Sequence, residues 1–324
     1  MVGLLEPLKV REHILRNRIV MPPMLTNLAA PDGSVTDKLV EHYVKRCSML
    51  GLLIVEAAYV SIGGNSSERQ LGIYSDTLIP GLKRLTRAVH DIGTPLVVQI
   101  AHSGAKAYVS SGGFQPVAPS ATESARELTL SEIDGLLDKF AEAAERAVAA
   151  GFDGVEIHGS HGLLVNQFFS PLTNKRRDRY GGSLENRMRF PLEVVKKVKA
   201  KVGKGLLLYR IGADDLTPGG TKIEDSIKLA KMLEDVGVDV IDVSGGLCGS
   251  RPPQLQDTMG YFIPQAKEIK NAVGVPVIGV GNIKEPRYAN RLVEEGAVDL
   301  VAVGRQLMND PDWIQKAIKE LAAI

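Results

Sequence analysis

Eight short runs rich in Val, Ile and Leu recur along the chain, and they constrain its fold more than any other feature. They lie at residues 18–24, 52–60, 95–102, 154–158, 205–211, 238–244, 275–281 and 298–304. A short, continuously apolar run is typical of a parallel strand that is buried on both faces. Helical patterns separate the runs, for example over residues 131–150 and 183–202. The alternation predicts a (β/α)₈ TIM barrel, because closing the sheet requires eight strands and leaves no unpaired edge.

The rest of the chain fits one domain over residues 1–324, a length that α/β barrels reach as a single unit. Residues 1–17 precede the first strand, and we expect them to form a short hairpin that closes the bottom of the barrel. Two insertions, residues 103–128 and 168–183, are long enough to act as active-site loops.

Composition excludes several functional classes. The 39 basic and 38 acidic side chains leave a net charge of +1 and are scattered, unlike the surface of a protein that binds nucleic acid or membranes. No apolar run approaches the roughly 20 residues that span a bilayer, and the first residues lack the pattern of a signal peptide. Two isolated cysteines, Cys47 and Cys248, form neither a disulfide framework nor a metal or iron–sulfur motif. We expect a cytoplasmic protein with a small-molecule substrate and no metal.

Two histidines follow the fourth apolar run, within the segment Val-Glu-Ile-His-Gly-Ser-His-Gly at residues 155–162. His158 and His161 are three residues apart at the carboxyl end of a strand, where barrel enzymes carry their catalytic groups. The pair is compatible with structural, hydrogen-bonded imidazoles. It is also compatible with a metal site, although no third ligand is evident. A third interpretation is a pair of donors that binds a substrate carbonyl oxygen and polarises it.

The last two strand ends carry a phosphate signal. Gly281 and Asn282 follow the seventh run, and Gly304 and Arg305 end the eighth, so backbone N–H groups and a guanidinium can converge on one dianion. The dinucleotide fingerprint itself is absent, because Lys284 stands where its third glycine would fall. Alternatively, these glycines only permit tight turns between strand and helix.

Two polar residues interrupt otherwise apolar strands. Gln99 and Arg210 are predicted to be buried, and a buried amide or charge is costly unless it is paired. Either both meet a polar ligand, or Arg210 forms an internal ion pair with Glu56 or Glu156.

Motifs along nearly the whole chain resemble the flavin-dependent old yellow enzyme family. They occur at residues 17–21, 71–76, 99–104, 155–162, 170–187, 304–305 and 310–311. The resemblance implies an FMN-dependent NAD(P)H oxidoreductase, in which hydride passes from flavin N5 to an electron-poor acceptor bound by the histidine pair. An enone-type alkene, a quinone or a similar compound would be that acceptor. FMN is expected to be noncovalent, with NAD(P)H as its reductant.

The resemblance also assigns the cofactor site residue by residue. It puts Pro23, Met24 and Ala57 against the isoalloxazine ring. It puts Gln99 at the flavin pyrimidine and Arg210 near N1 and O2, where a cation stabilises reduced flavin. Finally, it groups four residues around the FMN phosphate, namely Gly281, Asn282, Gly304 and Arg305.

Departures from the family pattern cluster in the expected substrate pocket. Leu25 and Asn27 replace a flavin-tuning cysteine and a tyrosine, and Leu163 replaces the usual proton-donating tyrosine. Leucine cannot protonate a carbanion, so water, Tyr108 or Tyr180 would have to serve as the acid.

Two further interpretations stay open. The barrel could instead oxidise an amine or alcohol, or it could be a flavin-carrying subunit of a larger redox complex. The iron–sulfur cluster and extra domains of multidomain relatives are missing from this sequence, so we expect electrons from diffusing NAD(P)H or from an electron-transfer partner protein. A homo-oligomer is also expected.

Overall fold

A closed barrel of eight parallel strands forms the centre of the molecule in the computed structural model, which describes residues 2–109 and 114–323. Its strands, in order around the barrel, are β3 (Ile19–Met21), β4 (Leu52–Tyr59), β5 (Leu96–Ala101), β8 (Gly154–Gly159), β9 (Leu206–Gly212), β10 (Val240–Ser244), β11 (Val277–Gly279) and β12 (Leu300–Ala302). Each of the eight apolar runs overlaps one of these strands, with ends that differ by up to three residues. The predicted (β/α)₈ TIM barrel is confirmed.

Helices surround the barrel and cover its outer face. They are α1 (Asp37–Cys47), α2 (Ile79–His90), α3 (Leu130–Ala149), α4 (Leu164–Phe169), α5 (Leu184–Val202), α6 (Ile223–Asp235), α7 (Ile263–Lys270), α8 (Pro286–Glu294), α9 (Arg305–Asn309) and α10 (Trp313–Leu321). A capping box starts α3, in which the Thr129 side chain accepts from the Glu132 N–H and the Glu132 carboxylate accepts from the Thr129 N–H. Gly203, with φ of 60°, ends α5. Among the described helices, none has the length and apolarity needed to cross a membrane.

Alternate residues of the barrel strands face the axis and pack in an inner cluster. The cluster comprises Val10, Leu15, Val20, Leu52, Ile54, Val97, Leu206, Leu208, Val240, Ile278, Leu300 and Ala302. Two of its members come from the antiparallel hairpin of β1 (Leu8–Val10) and β2 (His13–Leu15). The hairpin therefore closes the amino end of the barrel, as predicted for residues 1–17.

The two insertions are joined by hydrogen bonds. The described part of residues 103–128 includes the short parallel pair β6 (Val117–Ala118) and β7 (Arg126–Glu127), while residues 110–113 lie outside the described residues. The segment 168–183 is packed tightly: the buried Arg176 donates to the carbonyls of Pro119 and Leu128, at 2.8 and 2.6 Å. Neither insertion lines the main cavity within the described residues. Arg176 ties the second insertion to the first, and a role of the two insertions as active-site loops stays a prediction.

Candidate active site

A cavity of about 610 Å³ opens at the carboxyl ends of the barrel strands, within the usual size range of cofactor sites. Twelve of the residues predicted for the site line this cavity: Pro23, Met24, Leu25, Ala57, Gln99, His158, His161, Leu163, Arg210, Asn282, Gly304 and Arg305. They come from seven strand ends and from the start of α4. The fold thus brings nearly the whole predicted set together.

Two predicted residues do not line the cavity. Gly281 has φ of 127°, and a Cβ at this position would lie 2.8 Å from the Tyr261 backbone nitrogen. Its role is to let Tyr261 approach the seventh strand end. Asn27 has φ of 56° and accepts from the Ser67 hydroxyl at 2.6 Å, so it joins two loops instead of facing the cavity.

A bulge in β4 brings Ala57 to the cavity. The pairing between β4 and β5 shifts register between Val55 and Ala58. Strand alternation would direct Glu56 to the axis, but its carboxylate instead accepts hydrogen bonds from Tyr43 of α1 and from Thr26. The bulge therefore presents a methyl group where regular pairing would present a carboxyl group.

Polar side chains form the floor of the cavity. Gln99 Nε2 donates to Glu156 Oε1 at 2.8 Å, and Arg210 Nε lies 3.0 Å from Asp242 Oδ2. The alternative ion pair of Arg210 with Glu56 or Glu156 is wrong, because Asp242 is the residue directly opposite Arg210 on the neighbouring strand. Sequence reasoning missed Asp242, although a single Asp within an apolar strand is the same signal that identified Arg210.

The two histidines lie side by side at one wall of the cavity. Their ring centroids are 5.1 Å apart and their planes are nearly perpendicular, at 84°. Burial, with Arg210 and Lys106 nearby, lowers the pKa of His158 to about 3. Burial, Arg210 and His158 lower the pKa of His161 well below its usual value. Both imidazoles are therefore neutral at physiological pH, and each carries one N–H donor.

Hydrogen bonds orient both rings. The Ser160 N–H donates to His158 Nδ1 at 3.4 Å, which assigns the ring proton to Nε2. His161 Nε2 lies 2.7 Å from the hydroxyl of Ser244, which also lines the cavity. When Ser244 donates this bond, the proton of His161 is on Nδ1. Ser160 and Ser244 were not predicted as site residues.

The backbone of His161 is held in a left-handed conformation, with φ of 57°, which is uncommon for a residue with a side chain. Its N–H donates to the Gly245 carbonyl at 3.0 Å, and its carbonyl accepts from Lys106 Nζ at 2.7 Å. These contacts keep the second imidazole at the cavity wall. Lys106 was also missed, since no local motif connects it to His161.

Cations gather at the opposite end of the cavity. Arg305 Nη2 donates to Asn282 Oδ1 at 2.7 Å, and Arg251 and Lys284 line the same region. Tyr261 lies among them: burial raises its pKa, whereas the positive charges of Arg305 and Arg251 act to lower it. A Cβ on Gly304 would lie 3.0 Å from Met24 Sδ, so a side chain at this position would require Met24 to shift.

The lining fits FMN. Its cationic end suits a phosphate dianion, and its apolar walls include Pro23, Met24 and Ala57. Arg210 Nε is buried without a well-directed hydrogen bond among the described residues, so the guanidinium keeps donor capacity for a ligand. No group of three His, Cys, Asp or Glu side chains that could hold a metal occurs in residues 2–109 and 114–323.

Fold and site together fit a barrel oxidoreductase whose cavity accommodates a phosphorylated flavin and has two neutral imidazoles in its wall. Residues 3–323 match the sequence model of the NADH:flavin oxidoreductase / NADH oxidase family. The chain belongs to this family, and the predicted old yellow enzyme relationship, FMN cofactor and NAD(P)H reductant are confirmed.

Three similar proteins illustrate the relationship. The chain is 44% identical over 322 residues to an NADH oxidase of Thermoanaerobacter brockii; the match covers 95% of this chain but only 50% of that relative. It is 39% identical over 326 residues to an NADPH dehydrogenase of Geobacillus sp. (strain WCH70), covering 98% of this chain and 94% of the relative. The structure of an old yellow enzyme homologue from Zymomonas mobilis superposes with a TM-score of 0.86 at 30% identity, covering 98% and 93% of the two chains.

Proposed function

We propose that the chain transfers reducing equivalents from NAD(P)H to a small electron-poor acceptor whose oxygen is held by His158 and His161. Bound FMN supplies the hydride-transfer chemistry. The observation that carries this proposal is the pair of perpendicular, neutral imidazoles at the wall of the cavity. Gln99 and Arg210 form the floor of the same cavity. An enone-type alkene or a quinone has the carbonyl oxygen that such donors bind.

The residues of the chain have separable tasks in this proposal. The Nε2–H group of His158 donates to the acceptor oxygen, while Ser160 holds the ring through Nδ1. His161 supplies a second donor. Two neutral donors aimed at one oxygen stabilise the negative charge that develops there as hydride adds at the β-carbon, and they lose little solvation in a buried site.

Proton delivery distinguishes this pocket from the family pattern. Leu163 lines the cavity beside the histidines and has no acidic hydrogen. Tyr180 cannot replace it, because its ring is buried away from the cavity and its hydroxyl donates to Glu193 at 2.7 Å. Tyr108 does not line the cavity either, among the residues described. The geometry therefore favours acceptors such as quinones, which need no protonation at carbon.

Phenol binding tests the histidine pair directly. A phenolate resembles the polarised oxygen of the acceptor, so parent protein loaded with FMN should develop long-wavelength absorbance on titration with a phenol. His158→Ala and His161→Ala should weaken this binding about tenfold or more, as expected for the loss of a hydrogen bond to a charged group. His102→Ala is the matched control, since His102 is a buried, neutral imidazole outside this cavity.

Identical titration curves for all four proteins would rule out the pair as an oxygen-binding site. Anaerobic stopped-flow mixing of the reduced protein with enones and quinones then measures acceptor preference separately from reduction by NAD(P)H. Amine or alcohol oxidation would be favoured instead if those compounds reduced the oxidised protein faster than NAD(P)H does.

Assembly and location stay predictions from the sequence. We propose a cytoplasmic homo-oligomer that receives electrons from diffusing NAD(P)H, with an electron-transfer partner protein as the alternative source. Light scattering of the purified protein measures the oligomer, and steady-state oxidation of NADH and NADPH without other proteins tests the need for a partner.

A further inference from the structure

Four buried polar side chains lie beneath the cavity, one from each of four neighbouring strands. They are Gln99 on β5, Glu156 on β8, Arg210 on β9 and Asp242 on β10, and each is 5% exposed or less. Strand register aligns them in two pairs, Gln99 opposite Glu156 and Arg210 opposite Asp242. Only Gln99 and Arg210 line the cavity, so the two carboxyl groups form a layer behind them.

The charges in this cluster do not balance if both carboxyl groups are ionised. Among the described residues of β8, β9 and β10, Arg210 is the one arginine or lysine, and it faces two acids, Glu156 on β8 and Asp242 on β10. Its Nε lies 3.0 Å from Asp242 Oδ2. No ion pair joins Arg210 to Glu156 in the described part of the chain. Glu156 Oε2 and both carboxylate oxygens of Asp242 are buried there without a hydrogen-bond partner, but only Asp242 has a cation within ion-pair distance. An ionised carboxylate in this position would cost several kcal/mol, which protonation avoids.

Electrostatics agree with this assignment of the proton. Burial and the negative charge of Asp242 raise the pKa of Glu156 well above its usual value, while Arg210 opposes the shift. Burial also raises the pKa of Asp242, but there Arg210 is the direct counterion. His158, the other titratable group on β8, has a lowered pKa and is neutral. The ion-pair geometry, with these directions, favours Glu156 as the group that holds the proton and Asp242 as the group that balances Arg210.

Glu156 also determines how Gln99 faces the cavity. Gln99 Nε2 donates one hydrogen to Glu156 Oε1, so its second N–H and its Oε1 are left for a ligand. When the proton of Glu156 is on Oε2, Glu156 Oε1 can only accept a hydrogen bond. Flipping the Gln99 amide would then place the Gln99 oxygen against Glu156 Oε1, which is unfavourable. The flavin pyrimidine presents an N–H flanked by carbonyl oxygens, which matches one acceptor and one donor on Gln99.

We propose that Glu156 is a protonated positioning residue, which fixes the amide orientation of Gln99 toward the cofactor ring and keeps the cavity floor electrically neutral beside the Arg210–Asp242 pair. The proposal rests on the FMN site described above. In this proposal Glu156 affects the cofactor only through Gln99. Glu156 is uncharged, whereas Asp242 is ionised.

A double-mutant cycle tests the connection to Gln99. The apoprotein is titrated with FMN, and flavin fluorescence measures the dissociation constant of parent, Glu156→Met, Gln99→Met and the double variant. Glu156→Met should weaken FMN binding roughly 3- to 10-fold, the effect of about one net hydrogen bond. In the Gln99→Met background it should have no further effect. Equal losses in both backgrounds would overturn the positioning role.

Potentiometry tests the charge. Glu156→Gln has the shape of a protonated glutamic acid, so it should bind FMN within about twofold of parent and leave the flavin midpoint potential at pH 7 unchanged. Asp242→Asn is the matched variant, and it should raise the potential because it removes a negative charge near the ring. A rise of equal size in Glu156→Gln would show that Glu156 is ionised and would overturn the proposal.

The variants also separate the proposal from its premise. If Glu156→Met does not fold, Glu156→Ala replaces it in the cycle with Gln99→Met, and the midpoint potential of Glu156→Gln still tests the charge. If the parent apoprotein does not bind FMN, the proposed cofactor site is wrong. If the parent binds FMN but Glu156→Met causes equal losses in both backgrounds, only the positioning role is wrong.

Discussion

Glu56 provides a sharp test of how burial in this barrel alters acid–base behaviour. Its side chain is fully buried, and Oε2 accepts hydrogen bonds from Tyr43 and Thr26. Oε1 has no hydrogen-bond partner within residues 2–109 and 114–323. Burial raises the pKa of Glu56 from 4.5 to about 7, against the lowering effect of its hydrogen bonds. The folded protein therefore keeps a proton that the unfolded chain releases above pH 4.5.

The sign of the effect on stability follows from this proton. A raised pKa contributes stability that is fully present below pH 4.5 and is lost as the pH rises through about 7. With about 1.4 kcal/mol per pKa unit, the whole contribution is about 3 kcal/mol, and about 2 to 3 kcal/mol of it disappears between pH 5 and 8. Glu56→Gln keeps an acceptor for Tyr43 and Thr26 but has no proton to lose. Its stability relative to parent should therefore increase by that amount over the same range.

Urea unfolding followed by circular dichroism, at pH 5, 6, 7 and 8 and in excess FMN, measures this change. The informative quantity is how the difference in unfolding free energy between variant and parent changes with pH. The buried amide adds a constant to this difference, and the contributions of other titrating groups cancel in it. Glu268→Gln, on the exposed side of α7, is the control for replacing a carboxyl group by an amide at the surface. A pH dependence no larger for Glu56→Gln than for this control would refute the raised pKa.

Three further substitutions test the cofactor and substrate regions. Arg210→Met should lower the two-electron midpoint potential by roughly 30 to 65 mV, the equivalent of about 1.5 to 3 kcal/mol, because a positive charge beside the reducible ring is lost; dye-coupled potentiometry measures it. Leu163→Tyr should raise enone turnover selectively, by up to roughly 100-fold if the hydroxyl reaches the α-carbon, while quinone turnover barely changes; steady-state assays with both acceptors give the ratio. Arg305→Met should weaken FMN binding about tenfold or more yet leave riboflavin binding nearly unchanged, since the guanidinium would contact the phosphate; apoprotein titration compares the two flavins.

Each of these substitutions has a control that isolates its cause. The double variant Arg210→Met, Asp242→Asn removes the cation together with its counterion. If the midpoint potential is unchanged in both the single and the double variant, the role of Arg210 is purely structural. Leu163→Phe adds the ring without the hydroxyl, so an equal gain in Phe and Tyr variants would contradict proton donation. For Arg305, an equal loss of FMN and riboflavin affinity would argue against a phosphate contact.

The barrel and most of its active rim could be predicted from local sequence alone. A strand buried on both faces must be apolar along its whole length, so eight such runs identify eight strands with little ambiguity. Residues that break this rule, such as Gln99, Arg210 and His158, stand out because burying a polar group is costly. Since the carboxyl ends of parallel strands share one rim, their positions along the chain also indicate that they meet.

Only the tertiary structure decided which of these polar groups are partners. Arg210 pairs with Asp242 because the register between β9 and β10 puts them opposite each other, and register depends on closure of the whole barrel. The bulge in β4 turns Glu56 toward α1 and Ala57 toward the cavity, although regular alternation would predict the reverse. Lys106 reaches the His161 carbonyl from a loop 55 residues earlier in the chain. Such contacts depend on how separate segments pack in three dimensions, and a local sequence pattern does not contain that information.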